Sequence, residues 1–146
     1  MPANFTISVD PRRSLVRMTM GGFFSRDDIE RFVAARREAH AMLLCPLNQH
    51  LTLNDLRDIG IQAQEVVSEF RDLLAAPEYR SLRLAFVVGP TLARGQLMRA
   101  LAGRGARCFS TVEAAEAWLI SGSPADEALA IGMGASPSVA VSAARR

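Results

Sequence analysis

Residues 84–88 read Leu-Ala-Phe-Val-Val and run straight into Gly89-Pro90. A short, unbroken apolar run ended by turn residues reads as a central strand covered on both faces. Such a strand needs helices packed on a sheet, and the flanking sequence supplies them. Upstream, Gln62 to Ala75 carries Val66, Val67, Phe70, Leu73 and Leu74 at helical spacing, and Pro77 closes it. Before that helix, His50 to Asn54 reads as a strand with Leu51 and Leu53 on one side. Ser25 has N-cap character, and the helix it opens runs to about Leu44, with Ile29, Phe32, Ala39 and Leu43 along one stripe before Pro46.

The chain opens with Phe5, Ile7 and Val9 alternating with polar residues, then the turn Asp10-Pro11-Arg12-Arg13-Ser14, then Leu15 to Met20, ended by Gly21-Gly22. This reads as an antiparallel hairpin. Downstream, Gly89-Pro90-Thr91 starts a helix to about Ala102, with Ala93, Leu97, Ala100 and Leu101 on its core stripe and Leu92 and Met98 off it. Ala106 to Phe109 is a short fifth strand. Thr111 caps a last helix, with Ala114, Ala117, Trp118 and Ile120 expected inward. The expected architecture is α/β: a single mixed, mostly parallel five-stranded sheet with about four helices in the order β-β-α-β-α-β-α-β-α.

With 146 residues, 49% apolar and 22% charged, the chain has ordinary globular composition, which excludes wholesale disorder. Two domains are expected in the loose sense: a folded unit over 1–120, and a tail over 121–146 in which seventeen of 26 residues are Ala, Ser, Gly or Pro. The tail's uncharged run Ala128 to Ala144 has too little bulky apolar surface for a membrane anchor. The start of the chain has no apolar segment behind a charged one, so the cytosol is the expected compartment, with Cys45 and Cys108 free and partly buried.

The net charge is +2, too small to indicate nucleic acid. All basic residues are arginine. Six of them, at 80, 83, 94, 99, 104 and 107, fall in Arg80 to Val112, a stretch free of acids.

In open α/β sheets, ligands bind beyond the carboxyl ends of the parallel strands. Asn54-Asp55-Leu56-Arg57-Asp58 lies there. It reads either as a recognition loop or as a solvated loop with its own Arg–Asp pair. Gly89, Thr91 and Arg94 are a candidate anion site, beside the plainer reading that Gly89 or Thr91 caps a helix. His40 and His50 lack companion ligands at helical spacing, so a structural role is expected and no metal. The sequence has no G-x-S-x-G, P-loop, H-E-x-x-H or C-x-x-C, so neither catalytic residues nor a cofactor are expected.

The hairpin FTISVDPRRSLVRMTMGGFF, the strand LTLNDLRDIG and the stretch LAFVVGPTLARGQLMRALAGRGARCFSTVEAAEAWL resemble the STAS superfamily, with its SpoIIAA-like anti-sigma-factor antagonist fold. They come nearest to its bacterial STAS/SEC14-like branch. The resemblance covers Asn4 to about Ile120. It implies a regulatory, protein-binding module. In that superfamily a phosphorylatable serine opens the helix after the third strand, but Ile59-Gly60-Ile61-Gln62-Ala63-Gln64 holds no Ser or Thr, and Ser68 lies more than a turn further on. The expected partner-docking residues are Asp55, Arg57, Asp58, Gln62 and Glu65. Two other readings are a carrier of an apolar or anionic, lipid-like ligand, and a homo-oligomer in which Leu92, Met98 and the tail cover a neighbour.

Overall fold

A computed structural model describes residues 2–90, 95 and 106–122 of the chain. The elements are β1 (Asn4–Asp10), β2 (Leu15–Gly22), α1 (Arg26–Ala41), β3 (Leu51–Ile59), α2 (Gln64–Ala75), a 3-10 turn (Pro77–Tyr79), β4 (Arg83–Val87), β5 (Arg107–Phe109) and α3 (Val112–Ser121). The expected helix from Thr91 to about Ala102 lies outside the described residues except for Gly95, as does the tail from Ser123. Among the described residues there are three α-helices.

The strands form one sheet in chain order, β1-β2-β3-β4-β5. β1 and β2 are antiparallel and the other pairs are parallel. Each parallel step therefore moves the chain in the same direction, and right-handed crossovers put α1 and α2 on the same face. Ile29 and Phe32 of α1 and Val66 of α2 pack there on Val16, Met18, Met20 and Phe86. Helix α3 covers the opposite face, with Ala115, Trp118 and Leu119 against Leu15, Leu53, Ala85, Val87 and Phe109. Two-sided cover is what the apolar run at 84–88 required.

Local chemistry sets the helix ends. The Ser25 hydroxyl accepts from the Asp28 backbone N–H, and the Asp28 carboxylate accepts from the Ser25 N–H at 2.8 Å. This reciprocal box satisfies two of the helix's otherwise unpaired donors. Asp28 is held below the usual carboxylate range, chiefly by that backbone bond. Thr111 caps α3 through the Ala114 N–H. At its far end the Arg83 guanidinium donates to the Leu119 carbonyl at 2.8 Å, and Gly122 closes the helix at φ +70°.

Four expectations are corrected. Gly21-Gly22 do not end β2, because both pair with β3, at Asp58 and Ile59. α1 ends at Ala41 rather than Leu44, since Met42 already serves as its cap. α2 begins at Gln64, because the Gln62 side chain is used elsewhere. The inner face of α3 is Ala115, Trp118 and Leu119, whereas Ile120 is half exposed. A ten-residue helix with few polar residues gives a weak periodic signal, and its buried face cannot be fixed from spacing alone.

That correction is testable by thermal and denaturant unfolding. Leu119→Ala is expected to cost about 2–5 kcal/mol. Ile120→Ser is expected to change stability by less than about 0.5 kcal/mol.

Candidate functional site

The segment expected as a loop, Asn54 to Asp58, is strand. Thr19 pairs with Asp55, but Gly21 pairs with Asp58, so β3 carries one extra residue between them. This bulge breaks the alternation of sides. Leu56 is buried, and Arg57 and Asp58 are both exposed. β4 stops pairing at Asp55, so among the described residues the last part of β3 pairs with β2 alone and projects past β4.

Asp55 and Arg57 form a two-pronged ion pair on this projection, with Nε to Oδ1 at 2.9 Å and Nη2 to Oδ2 at 2.7 Å. Burial opposes ionisation of Asp55, but its bonds to Arg57 outweigh that and hold the carboxyl below its ordinary value. Asp55 in turn raises the Arg57 guanidinium. The plainer of the two readings of this segment therefore describes this pair. Asp58 and Glu65 are exposed and form no ion pair within 4 Å among the described residues.

Gln62, expected on the docking face, is instead buried beneath it. Its Oε1 accepts from the Phe24 N–H at 2.9 Å. Its amide nitrogen donates to the Gly22 carbonyl at 2.9 Å and to the Gly60 carbonyl at 2.7 Å. The Gly60 N–H also reaches Gly22 O, at 3.2 Å. The connections β2–α1 and β3–α2 are thus clasped together at their first residues.

This clasp presents two apolar side chains to solvent: Phe23 is 53% exposed and Ile61 is 48% exposed. The Phe23 ring lies flush on Gly60, where an added Cβ would sit 3.1 Å from ring carbons. A larger residue at 60 would push the ring outward by a few tenths of an ångström. The sequence singles out neither residue, since each sits beside a neighbour that turns inward (Phe24 and Gln62).

Of the expected anion site, Gly89 is partly buried after β4, and Thr91 and Arg94 lie outside the described residues. Among the described strands the order never reverses, so they form no switch point to open a ligand crevice. A groove between α1 and α2 measures about 380 Å³. Val33, Ala34 and Leu73 line it, and Glu30, Arg37 and Asp72 rim it. It opens to solvent. No helix among the described residues is long and apolar enough to cross a membrane.

A second polar cluster occupies the amino end of the sheet. Arg36 is 7% exposed and stands on the apolar stripe of α1, at i+4 from Phe32. Its guanidinium stacks 4.3 Å over the Tyr79 ring and donates to the Leu73 carbonyl at 3.4 Å, while its Nε has no hydrogen-bond partner among the described residues. His40 and His50 meet edge to face at 4.8 Å, and His40 also packs on Tyr79. The His40 Nδ1–H donates to Arg36 O at 2.8 Å. Ser81 links His50 to Thr52, at 3.3 and 2.6 Å. Each histidine lacked a partner in the sequence, yet the fold joins them. The signal was Arg36 itself, a charge at a stripe position.

Burial lowers the pKa of both imidazoles and of Arg36. His50 is pushed down to about 4 by burial, with the charge repulsion of a protonated His40 adding to it. It is neutral in the fold and titrates at 6.5 when unfolded, so the unfolded chain binds the extra proton between those values. Stability is present above pH 6.5 and falls as the pH drops toward 4. Denaturant titrations at stepped pH are expected to show a loss of roughly 2–3 kcal/mol over that window. His50→Asn should reduce that loss, leaving the part that buried His40 contributes.

Scans against protein-family models, curated proteins and solved structures find no match for the chain.

Proposed function

We propose that the chain is a non-enzymatic protein-binding module of STAS type, with a SpoIIAA-like arrangement of its sheet and helices, acting in the cytosol. The single observation behind this reading is the exposed pair Phe23 and Ile61, mounted on backbone that the buried Gln62 amide clasps. Exposed aromatic and aliphatic side chains on rigid backbone are what interface centres are made of, because little ordering entropy is lost on binding.

Asp58 and Glu65 flank the pair and are exposed. The partner of this reading offers an apolar pocket for Phe23 and Ile61 and basic groups for the two carboxylates. The helix start after β3 carries no hydroxyl, so recognition here runs without a phosphorylation switch at that place. The groove between α1 and α2 is open and rimmed by charge, unlike the enclosed pocket that a carrier of an apolar ligand uses.

Affinity capture from the cells of origin, compared between the natural chain and Asp58→Arg, tests the reading. A specific protein held by the first and lost by the second is expected, with the melting temperature unchanged. An identical set of captured proteins contradicts it.

A further inference from the structure

β1 stands at the edge of the sheet, and among the described strands it has one neighbour, β2. An edge strand offers its outer N–H and C=O groups as a template for another strand, and folded proteins blunt such edges with short strands, bulges, prolines or charges. The far edge is blunted in this way, since β5 has three residues and opens on Arg107. β1 is not. It has seven residues, Asn-Phe-Thr-Ile-Ser-Val-Asp, with no proline, no bulge in its pairing with β2, and a single charge at its last position.

The ladder decides which groups face outward. The Leu51 N–H donates to Ser14 O, so Leu15 and Arg17 turn their backbone groups away from β3 and toward β1. Their partners Asp10 and Ser8 are the hydrogen-bonded positions of β1, which leaves Phe5, Ile7 and Val9 with N–H and C=O pointing off the edge. The side chains of these three lie on the core face, where Phe5 meets Phe24 and Phe32 at ring distances of 6.5 and 5.5 Å. All three are only partly buried, because no described strand lies beyond them.

β1 is also its own complement. Laid antiparallel on a second β1 with Ile7 opposite Ile7, it sets Phe5 against Val9, Thr6 against Ser8 and Asn4 against Asp10. Outward-pointing residues then meet only outward-pointing residues, so each exchanges both backbone groups with its opposite. The side-chain pairs are aromatic with β-branched, hydroxyl with hydroxyl, and amide with carboxylate, and no like charges are opposed. Helix α1, which packs over β1, agrees with this. Its Glu30, Val33, Ala34 and Arg37 line the groove shared with α2, so Arg31, Ala35 and Glu38, at i, i+4 and i+7, form the other flank. Arg31 also bonds Asp28 of its own helix. A twofold axis at Ile7 runs the two α1 helices antiparallel on one face of the joined sheet, so the Arg31 end of one flank approaches the Glu38 end of the other.

We propose that this chain forms a twofold dimer in which β1 pairs antiparallel with β1 of a second copy, Ile7 on Ile7, joining two five-stranded sheets into one. The pairing uses neither Phe23 nor Ile61 and stands apart from the docking reading.

Sedimentation of the full chain over a concentration series, together with cysteine cross-linking, tests it. The natural chain is expected to approach twice the 15.8 kDa chain mass as concentration rises. Thr6 and Ser8 are exposed, and Thr6→Arg with Ser8→Arg sets like charges opposite one another. That variant is expected to stay at the single-chain mass with an unchanged melting temperature. Thr6→Cys chains mixed with Ser8→Cys chains are expected to join through residues 6 and 8 roughly tenfold faster than either variant alone, because disulfide geometry is specific. The bond is located by peptide mass spectrometry, which separates it from any through Cys45 or Cys108. A single-chain mass at every concentration overturns the proposal. So does a dimer that the double arginine variant leaves intact, or cross-linking of Thr6→Cys alone as fast as in the mixture.

Discussion

The parallel pairing of β2 with β3 is the constraint from which the rest follows. It runs from Leu15 opposite Leu51 to Gly22 opposite Ile59, through one bulge. The part before the bulge sends Leu15, Leu51 and Leu53 to α3, and Val16, Met18 and Met20 to α1 and α2. The part after it turns Arg57 and Asp58 outward together and brings Gly60 under Phe23. A register slip of one residue would exchange the two cores and move the projecting end of β3 away from the β2–α1 connection. The Gln62 amide then closes that end by satisfying one donor and two acceptors that strand pairing leaves open.

The succession of strands along the chain was legible because most of them alternate or run apolar over five or more residues. The hairpin at Asp10–Ser14 and the run at 84–88 have no competing reading. The capping residues Ser25 and Thr111 were equally plain, since their chemistry is local. The bulge in β3 was not legible. A bulge leaves charges where a loop would, and Asp55-Leu56-Arg57-Asp58 reads the same either way. Its strand character comes from β2, a partner more than 30 residues away.

The candidate site was legible in part. Asp55, Arg57, Asp58 and Glu65 share the carboxyl end of the sheet, as their place in the last part of β3 and just beyond it implies. The roles within the group differ. Asp55 and Arg57 neutralise each other, Asp58 and Glu65 form no ion pair among the described residues, and Gln62 is internal support. Spacing cannot tell a glutamine that faces a partner from one that faces three backbone groups. The cluster of Arg36, His40, His50 and Tyr79 escaped for a similar reason, because its members come from three elements brought together only by packing. The two ends of the sheet thus have distinct physics: charged and clasped at the carboxyl end, neutral imidazole at the amino end.

The central claim is that Phe23 and Ile61 stand on a pre-organised face rather than on loose connections. Backbone 15N relaxation over Gly22 to Phe24 and Asp58 to Gln62 measures this most directly. Order parameters near 0.85, about equal to those of β2 and β3, are expected. Values below about 0.6 in either stretch would show that the Gln62 clasp does not hold, and would contradict the claim.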